Sequence, residues 1–376
     1  MTHIAFGYLT ASKHDSQLLE TQPKTCTGGD GYMIYTGQGS KADFCCALGA
    51  NYNGVQNSYS LPTPEEEELA ERLCKITGME KVKLLKTGSD ACSAAVRIAR
   101  GYNKKPDGIG AGYHGWGNTF IADEYPGCGC IIEGYEKAPN LNRLIDQTIN
   151  PSGEQYSYCI IEPFELDYSE KRIKQLKELR KLCKIQDVVF IADEIITFGR
   201  IPGYSACEYS GIKPDIIIGS KALGNGYPIS FVAGTQEIME GSDYFISGTF
   251  FGETRSIQEA IKTLDFMTPA RIQALWDRGD RFQKKFNAIS NAVQLYGLPT
   301  RAVWRGESAL VFIQEMNRKG YFLHPKVWFL NHAHTAEVLN GFLKDARVVL
   351  DDIHAGRCQL RGREPMPIFK RGTEDE

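Results

Sequence analysis

The sequence lacks the long apolar runs and the charge excess that mark several protein classes. No stretch of its 376 residues approaches the roughly 20 consecutive apolar residues that a membrane-spanning helix needs. Lysine and arginine total 43 against 46 aspartates and glutamates, so the net charge of −3 gives no general attraction to nucleic acid. The first residues, MTHIAFGYLTASKHD, have no basic flank followed by an apolar core, so we expect no secretory leader and a cytoplasmic protein.

Disulfide and zinc signatures are also missing. An odd number of cysteines, 11, cannot pair completely within one chain. The short spacings Cys45-Cys46 and Cys128-Gly-Cys130 do not match the CxxC half of a zinc site, so we expect reduced and mostly buried thiols. The composition is that of an ordinary globular protein, with 42% hydrophobic and 24% charged residues, which excludes a disordered chain.

Continuous apolar segments alternate with amphipathic segments between residues 56 and 255. The predicted strands are 82–86, 159–161, 188–192 and 216–218. The predicted helices are 91–102 and 171–183. Strands that are apolar throughout are buried on both faces. The alternation therefore predicts an α/β domain whose mostly parallel sheet is flanked by helices.

The regions on either side have a different character. Residues 1–55 are rich in Gly, Thr and Tyr and predict an irregular arm with short strands. Residues 256–292 have helical periodicity throughout and predict connecting helices. Residues 293–376 predict a smaller C-terminal α/β domain with a tail, in which 309–313 is a predicted strand and 336–352 a predicted helix.

Three short segments carry residues suited to chemistry. Thr87-Gly88-Ser89-Asp90-Ala91 lies at a strand-to-helix turn, where free backbone amides bind phosphate, although an ordinary helix cap has the same pattern. Asp193 and Glu194 end a buried strand, where open α/β sheets place their ligands, or where two charges are simply solvated. Lys221 follows the next strand in a loop of small residues, and is either a desolvated amine that forms a Schiff base or a surface lysine.

The order of these segments favours one cofactor. An anion cradle, an acidic strand end and a lysine match the phosphate, the pyridine nitrogen and the aldehyde of pyridoxal 5'-phosphate. A carboxylate keeps the pyridine nitrogen protonated, so that the ring can accept electrons from a substrate carbanion. We therefore expect this cofactor and no metal.

The chain resembles the class III aminotransferases, the ornithine and glutamate-1-semialdehyde type, which have fold type I among pyridoxal phosphate enzymes. The matching segments, in the family's order, are LLKTGSDACSAAVRIARGYN, GYHGWGNTF, IIEPFE, VFIADEIITFGR, PDIIIGSKALGNGYPIS and SGTFFGETRS. HPKVWFLNHAHT also resembles the family's small-domain segment. The resemblance implies a large cofactor-binding domain over residues 56–255.

The resemblance also implies site roles. Lys221 would form the Schiff base and move a proton, and Asp193 would pair with the pyridine nitrogen. The other implied cofactor-binding residues are Gly88 and Ser89 on the phosphate, Ile195 and Tyr113 on the two ring faces, His114 beside the ring, Glu162 at its edge, and Thr249 on the phosphate of the neighbouring subunit. Thr249 thus implies a homodimer with shared active sites.

The resemblance leaves the substrate open. The aminomutases of the family carry an N-terminal segment like Gly-Gly-Val-Asn-Ser-Pro-Val-Arg. Thr10-Ala11-Ser12-Lys13, the nearest match, lacks the arginine. The leading hypothesis is therefore amino-group transfer to or from a small aldehyde, keto or sugar-like substrate. The alternatives are 2,1-aminomutation and decarboxylation, including that of an amino-acid-modified nucleotide.

Two further patterns favour structural interpretations. His332 and His334 form an HxH pair without a third ligand at a convincing spacing, so packing or hydrogen bonding is expected there. A basic cluster near the C-terminus predicts a solvated tail; it consists of Arg357, Arg361, Arg363, Lys370 and Arg371. A catalytically inactive relative that binds a partner or nucleic acid through this cluster is the hypothesis from another class.

Overall fold

The computed structural model describes residues 2–10, 13–30, 33–42, 61–120, 134–148, 156–361 and 364–365. Its contacts divide the chain into two compact units. The first unit consists of Met1–Pro163, Lys174–Gly199 and Gly203–Thr268, and the second of Phe164–Ile173, Arg200–Pro202 and Pro269–Glu376. Within the described ranges, no helix is both long enough and apolar enough to cross a membrane.

The first unit contains two sheets. A small antiparallel sheet consists of β1 (Gly28–Asp30), β2 (Met33–Thr36) and β3 (Gly39–Ala42). The strands of the larger sheet are β4 (Lys81–Leu85), β5 (Gly108–Ala111), β6 (Tyr135–Lys137), β7 (Tyr158–Ile161), β8 (Val189–Asp193), β9 (Ile216–Gly219) and β10 (Ser230–Gly234). Their spatial order is β4-β10-β9-β8-β7-β5-β6. β10 is antiparallel to both of its neighbours, and all other neighbouring pairs are parallel, which confirms the predicted fold class.

Helices cover this larger sheet. They are α1 (Pro64–Thr77), α2 (Gly88–Asn103), α3 (Leu141–Thr148), α4 (Glu170–Ile185), α5 (Ala206–Ser210), α6 (Gln236–Glu240) and α7 (Thr254–Phe266). In α2 the buried residues Ala91, Ala95, Ile98 and Ala99 recur at helical spacing and pack into one core with strand residues such as Ile191. Every residue of β4, β5 and β7–β10 is buried, which explains why the sequence shows these strands as unbroken apolar segments.

The second unit has its own core. Its elements are α8 (Pro269–Asn287), β11 (Gln294–Leu298), β12 (Arg301–Arg305), α9 (Ala309–Arg318), β13 (Trp328–Phe329) and α10 (Ala336–His354). β11, β12 and β13 form an antiparallel sheet, and buried aromatic residues such as Phe286 and Phe312 pack between the helices and strands of this unit.

One prediction for the chain after residue 255 is wrong. Residues 309–313 form the first turns of α9 rather than a strand, because Phe312, Ile313 and Met316 bury one helical face and a short apolar run cannot distinguish the two structures. The helices expected over residues 256–292 correspond to α7 and α8. The helical structure is interrupted between Phe266 and Pro269, which begins α8, and it ends at Asn287.

The cysteines agree with the prediction of reduced thiols wherever the structure describes them. Seven are free, and six of these are buried: Cys26, Cys74, Cys92, Cys159, Cys183 and Cys207. The seventh, Cys358, is partly exposed. The closely spaced cysteines 45, 46, 128 and 130 lie outside the described residues.

Candidate active site

Five segments with predicted site residues end at the same edge of the large sheet. β5, β7, β8 and β9 are parallel, so their carboxyl ends lie together. β4 runs in the same direction as β9, because each is antiparallel to β10. Residues 87–89, 112–114, 162, 193–195 and 221 end or follow these five strands. The sheet topology therefore brings together eight of the nine predicted site residues.

Asp193 is a buried and well-constrained residue of this edge. Its side chain is 3% exposed, and Oδ2 lies 2.8 Å from Nδ1 of His114, whose side chain is 0% exposed. The backbone amide of Ile195 donates to Oδ1 at 3.1 Å, and the Cys92 thiol donates to Oδ2 at 3.5 Å. A buried carboxylate needs such donors to remain in place. Three groups thus hold Asp193 in one orientation.

Asp193 and two of these groups have the side-chain composition of a metal site. Ligand-type atoms of Cys92, His114 and Asp193 lie within 4.8 Å of one another, and this is the one such group within the described ranges. Burial, followed by the charge of Asp193, raises the pKa of the Cys92 thiol well above its usual value. A protonated thiol can donate a hydrogen bond to the Asp193 carboxylate. The observed hydrogen bonds from His114 and the Cys92 thiol make this group a support for the Asp193 carboxylate.

The amino end of α2 forms an anion cradle. Thr87 Oγ1 accepts from the amide of Asp90 at 3.1 Å, and Asp90 Oδ2 accepts from the amide of Thr87 at 3.0 Å. This reciprocal cap leaves the amides of Gly88 and Ser89 without a partner in the part of the chain that the structure describes. The Ser89 hydroxyl accepts from the amide of Trp116 at 3.3 Å. An ordinary cap and an anion-binding surface therefore coexist in one turn.

Glycines at this edge allow close packing between the segments. A Cβ atom on Gly88 would lie 2.8 Å from Cδ1 of Ile195, so Ile195 lies directly against the cradle. Gly115 has a φ of +97°, and a Cβ atom there would lie 2.3 Å from the Ser89 hydroxyl. A side chain at either position would displace residues that the sequence assigns to the cofactor.

The remaining predicted residues surround Asp193. Lys221 begins a short 3-10 turn, Lys221–Gly224, with a φ of 44°, and its side chain is exposed. Its ammonium partly opposes the rise in the pKa of the Cys92 thiol, so its charge acts on this cluster. Tyr113 is 56% exposed, and its amide donates to Glu162 Oε1 at 3.2 Å. Thr249 lies exposed in the turn before α7, and its role at a neighbouring subunit stays a prediction.

Cys92 is a site residue that the sequence interpretation missed. It lies one helical turn after Gly88 on the buried face of α2, together with Ala91, Ala95 and Ala99. Helical periodicity alone could have placed it against the sheet. It could not have shown that Asp193 would be the neighbour, because 101 positions separate the two residues.

The two other patterns singled out in the sequence have local structural partners. His334 Nδ1 accepts from the amide of Asn331 at 3.1 Å, which agrees with the hydrogen-bonding interpretation of the HxH pair. Arg357 pairs with Asp352 at 2.6 Å, so its charge is partly compensated on the surface of α10. Arg363, Lys370 and Arg371 lie outside the described residues.

Comparisons with known proteins agree with the motifs. Residues 136–296 match the family model described as aminotransferase class-III. A protein named glutamate-1-semialdehyde 2,1-aminomutase from Nitrosopumilus maritimus is 28% identical over 345 residues, which cover 78% of this chain and 81% of that protein. A protein of the same name from Methanospirillum hungatei is 28% identical, with 84% of this chain and 90% of that protein covered.

Solved structures share the fold. One described as a transaminase with PLP bound has a TM-score of 0.71 and 18% identity, with 90% of this chain and 93% of that chain covered. An omega-transaminase from Sphaerobacter thermophilus has the same TM-score and identity, with 90% and 92% covered. The resemblance predicted from the motifs is confirmed: residues 136–296 match the class III aminotransferase family model, and the fold is the type I fold of pyridoxal phosphate-dependent transaminases.

Proposed function

We propose that this chain is a pyridoxal 5'-phosphate-dependent enzyme that moves an amino group to or from a small aldehyde, keto or sugar-like substrate. One observation carries the proposal. A buried carboxylate held by three donors, two free helix amides and a lysine on the neighbouring strand end converge at one sheet edge. This donor set fits the pyridine nitrogen, phosphate and aldehyde of that cofactor.

Different residues would bind different parts of the cofactor. The amides of Gly88 and Ser89, with the Ser89 hydroxyl, would bind the phosphate at the positive end of the α2 dipole. Asp193 would accept a hydrogen bond from the protonated ring nitrogen, and His114 and the Ile195 amide would keep the carboxylate aligned. Ile195, which lies against Gly88, would pack on one ring face.

Tyr113 and Glu162 follow β5 and β7 at the same edge. The amide of Tyr113 donates to Glu162, so the position of Tyr113 depends on this carboxylate. We infer that Tyr113 packs on the second ring face and that Glu162 orients the substrate or cofactor at the ring edge. An exposed aromatic ring at the mouth of the site would also limit access of water to it.

Lys221 would hold the cofactor and transfer the proton of the reaction. The bound cofactor withdraws electrons from the substrate carbon, which makes its proton removable. Lys221 Nζ would hold the cofactor covalently until a substrate amine takes its place. The freed amine would then act as general base and acid, taking a proton from the substrate carbon and returning it one position away.

A covalent test addresses Lys221 directly. Borohydride reduction of the full-length protein with excess pyridoxal phosphate, followed by peptide mass analysis, should add one reduced pyridoxyl group to the Lys221 peptide. Lys221→Ala should abolish this adduct and the visible absorption of the cofactor. Lys213→Ala removes an exposed lysine at the other end of β9 and should change neither. An unmodified Lys221 peptide in the wild type would refute the proposal.

A second candidate activity is 2,1-aminomutation, because the relatives reported above are named as aminomutases. Decarboxylation is a further outcome of the same chemistry, although no described residue favours it. Product analysis distinguishes the three reactions. Amino transfer requires an external acceptor, aminomutation leaves donor and acceptor in one molecule, and decarboxylation releases carbon dioxide.

We also propose a homodimer located in the cytoplasm. An exposed Thr249 in the turn before α7 suits a residue that reaches the phosphate of a neighbouring subunit. Mixing Lys221→Ala and Thr249→Ala chains provides a test. Mixed dimers should recover one competent site if Thr249 acts across subunits. If the residue acts within its own chain, mixing should instead give no activity beyond that of the two unmixed variants.

A further inference from the structure

A partly buried ion pair joins the anion cradle to the turn that carries Thr249. Lys86, directly before Thr87, pairs with Glu253 through Nζ and Oε2 at 3.1 Å. The two side chains are 13% and 18% exposed. Lys86 follows β4, and Glu253 caps the start of α7. Their contact links these two elements, although the two residues are 167 positions apart in the sequence.

Glu253 is held by more than the lysine. The amide of Arg255 donates to Oε1 at 2.7 Å, and the amide of Ser256 donates to Oε2 at 3.2 Å, with the Ser256 hydroxyl on the same oxygen. Burial would raise the pKa of Glu253, but these donors and Lys86 together lower it. The carboxylate is therefore fixed relative to α7, and Lys86 is attached to a rigid group.

A second contact supports the same turn from α1. Glu66 is 1% exposed, and a Cβ atom on Gly252 would lie 2.6 Å from its Oε1. The backbone before Glu253 thus lies against a buried carboxyl group. The turn that carries Thr249 is therefore in contact with Glu66 of α1 and with Lys86, which directly precedes the cradle.

We propose that Lys86 and Glu253 are positioning residues, which act as one unit to place the Gly88 and Ser89 amides for phosphate and to fix the turn that carries Thr249. The inference rests on the proposed function of the cradle. Lys86 does not serve as a free positive charge here, because Glu253 compensates it at 3.1 Å. Its contribution to phosphate binding is geometric.

The test is a double-mutant cycle on the full-length apoprotein. Lys86→Met, Glu253→Gln and the double variant are titrated with pyridoxal phosphate and, separately, with inorganic phosphate. Each single change should weaken both affinities about tenfold, and the double variant should be no weaker than either single variant. Lys86→Arg preserves the pair and should bind within about threefold of the wild type.

The same strand offers a matched control. Lys81, at the start of β4, pairs with Glu240 at 3.3 Å, with side chains 7% and 20% exposed. Lys81→Met breaks a comparable pair at the end of β4 that is remote from the cradle. It should lower the melting temperature of the apoprotein while leaving both affinities unchanged.

Three results would overturn the inference. If Lys86 contacts phosphate directly, Glu253→Gln should leave the affinity unchanged or increase it. If the two residues act independently, the losses in the double variant should multiply. If Lys81→Met weakens binding as much as Lys86→Met, the effect reflects stability alone. Failure of the proposed function can be distinguished from failure of this inference. If the proposed function is wrong, wild-type Lys221 gives no borohydride adduct, but the inorganic phosphate titration still measures the coupling between Lys86 and Glu253.

Discussion

The hydrogen bond between His114 and Asp193 allows a quantitative prediction. His114→Leu removes the 2.8 Å donor from Oδ2 and leaves that oxygen with the Cys92 thiol at 3.5 Å, a weak donor. A hydrogen bond to a charged group contributes about 1.5–3 kcal/mol, and both partners here are almost completely buried. We therefore expect the apoprotein to lose about 2 kcal/mol of unfolding free energy through this contact.

His114→Asn is the matched control. An asparagine amide can donate to Oδ2 from about the position of the imidazole Nδ1, whereas leucine cannot. Both variants lose the ring contact with Phe120, whose centroid lies 5.5 Å from that of His114. The difference between the two variants therefore isolates the donor from the packing of the ring.

Urea titration of the two apoproteins measures this difference. The leucine variant should unfold at a lower urea concentration with an unchanged slope, and it should bind pyridoxal phosphate more weakly than the asparagine variant. Equal midpoints for the two variants, or a higher midpoint for His114→Leu, would refute the reasoning that His114 supports Asp193 through this hydrogen bond.

Three other predictions use the same kind of measurement. Burial raises the pKa of Glu66 to about 7, so the folded protein retains a proton that the unfolded chain has released. Unfolding free energy should therefore fall by about 3 kcal/mol as pH rises from 4.5 to 7, and Glu66→Gln should remove this slope. Burial lowers the pKa of Lys83 to about 7, so stability should rise with pH above 7 in the wild type but not in Lys83→Met. Persistence of either slope in its variant would assign it to another group. Gly88→Ala should displace Ile195 and weaken cofactor affinity, measured by titration, because the new Cβ atom would lie 2.8 Å from Cδ1; unchanged affinity would show that Ile195 can move freely.

The strands of the large sheet were predictable because burial on both faces leaves an unbroken apolar segment. β7, β8 and β9 lie within two residues of their predicted positions. Residues 309–313 of α9 are predicted as a strand because five consecutive apolar residues fit either structure, and only the packing of Phe312 and Met316 decides between them. The antiparallel direction of β10 has no local signal, since strand direction depends on how the chain returns to the sheet.

The candidate site was predictable in its parts but not in its supports. Gly88, Asp193 and Lys221 follow apolar strands, and strand ends in an α/β sheet meet at one edge. Cys92 and the Lys86–Glu253 pair were not found, because each depends on a contact across more than 100 positions. Sequence patterns report the periodicity of one segment, and such contacts exist only after the segments have assembled.

The pairing of β4 with β10 has a consequence for synthesis. Leu85 pairs with Ser230, which is 145 positions further along the chain. At about 5–20 residues per second, a ribosome needs on the order of ten seconds to deliver the strand that completes this side of the sheet. Until then, nascent chains expose an apolar edge directly before the cradle, and we expect chaperone binding to be concentrated in that interval.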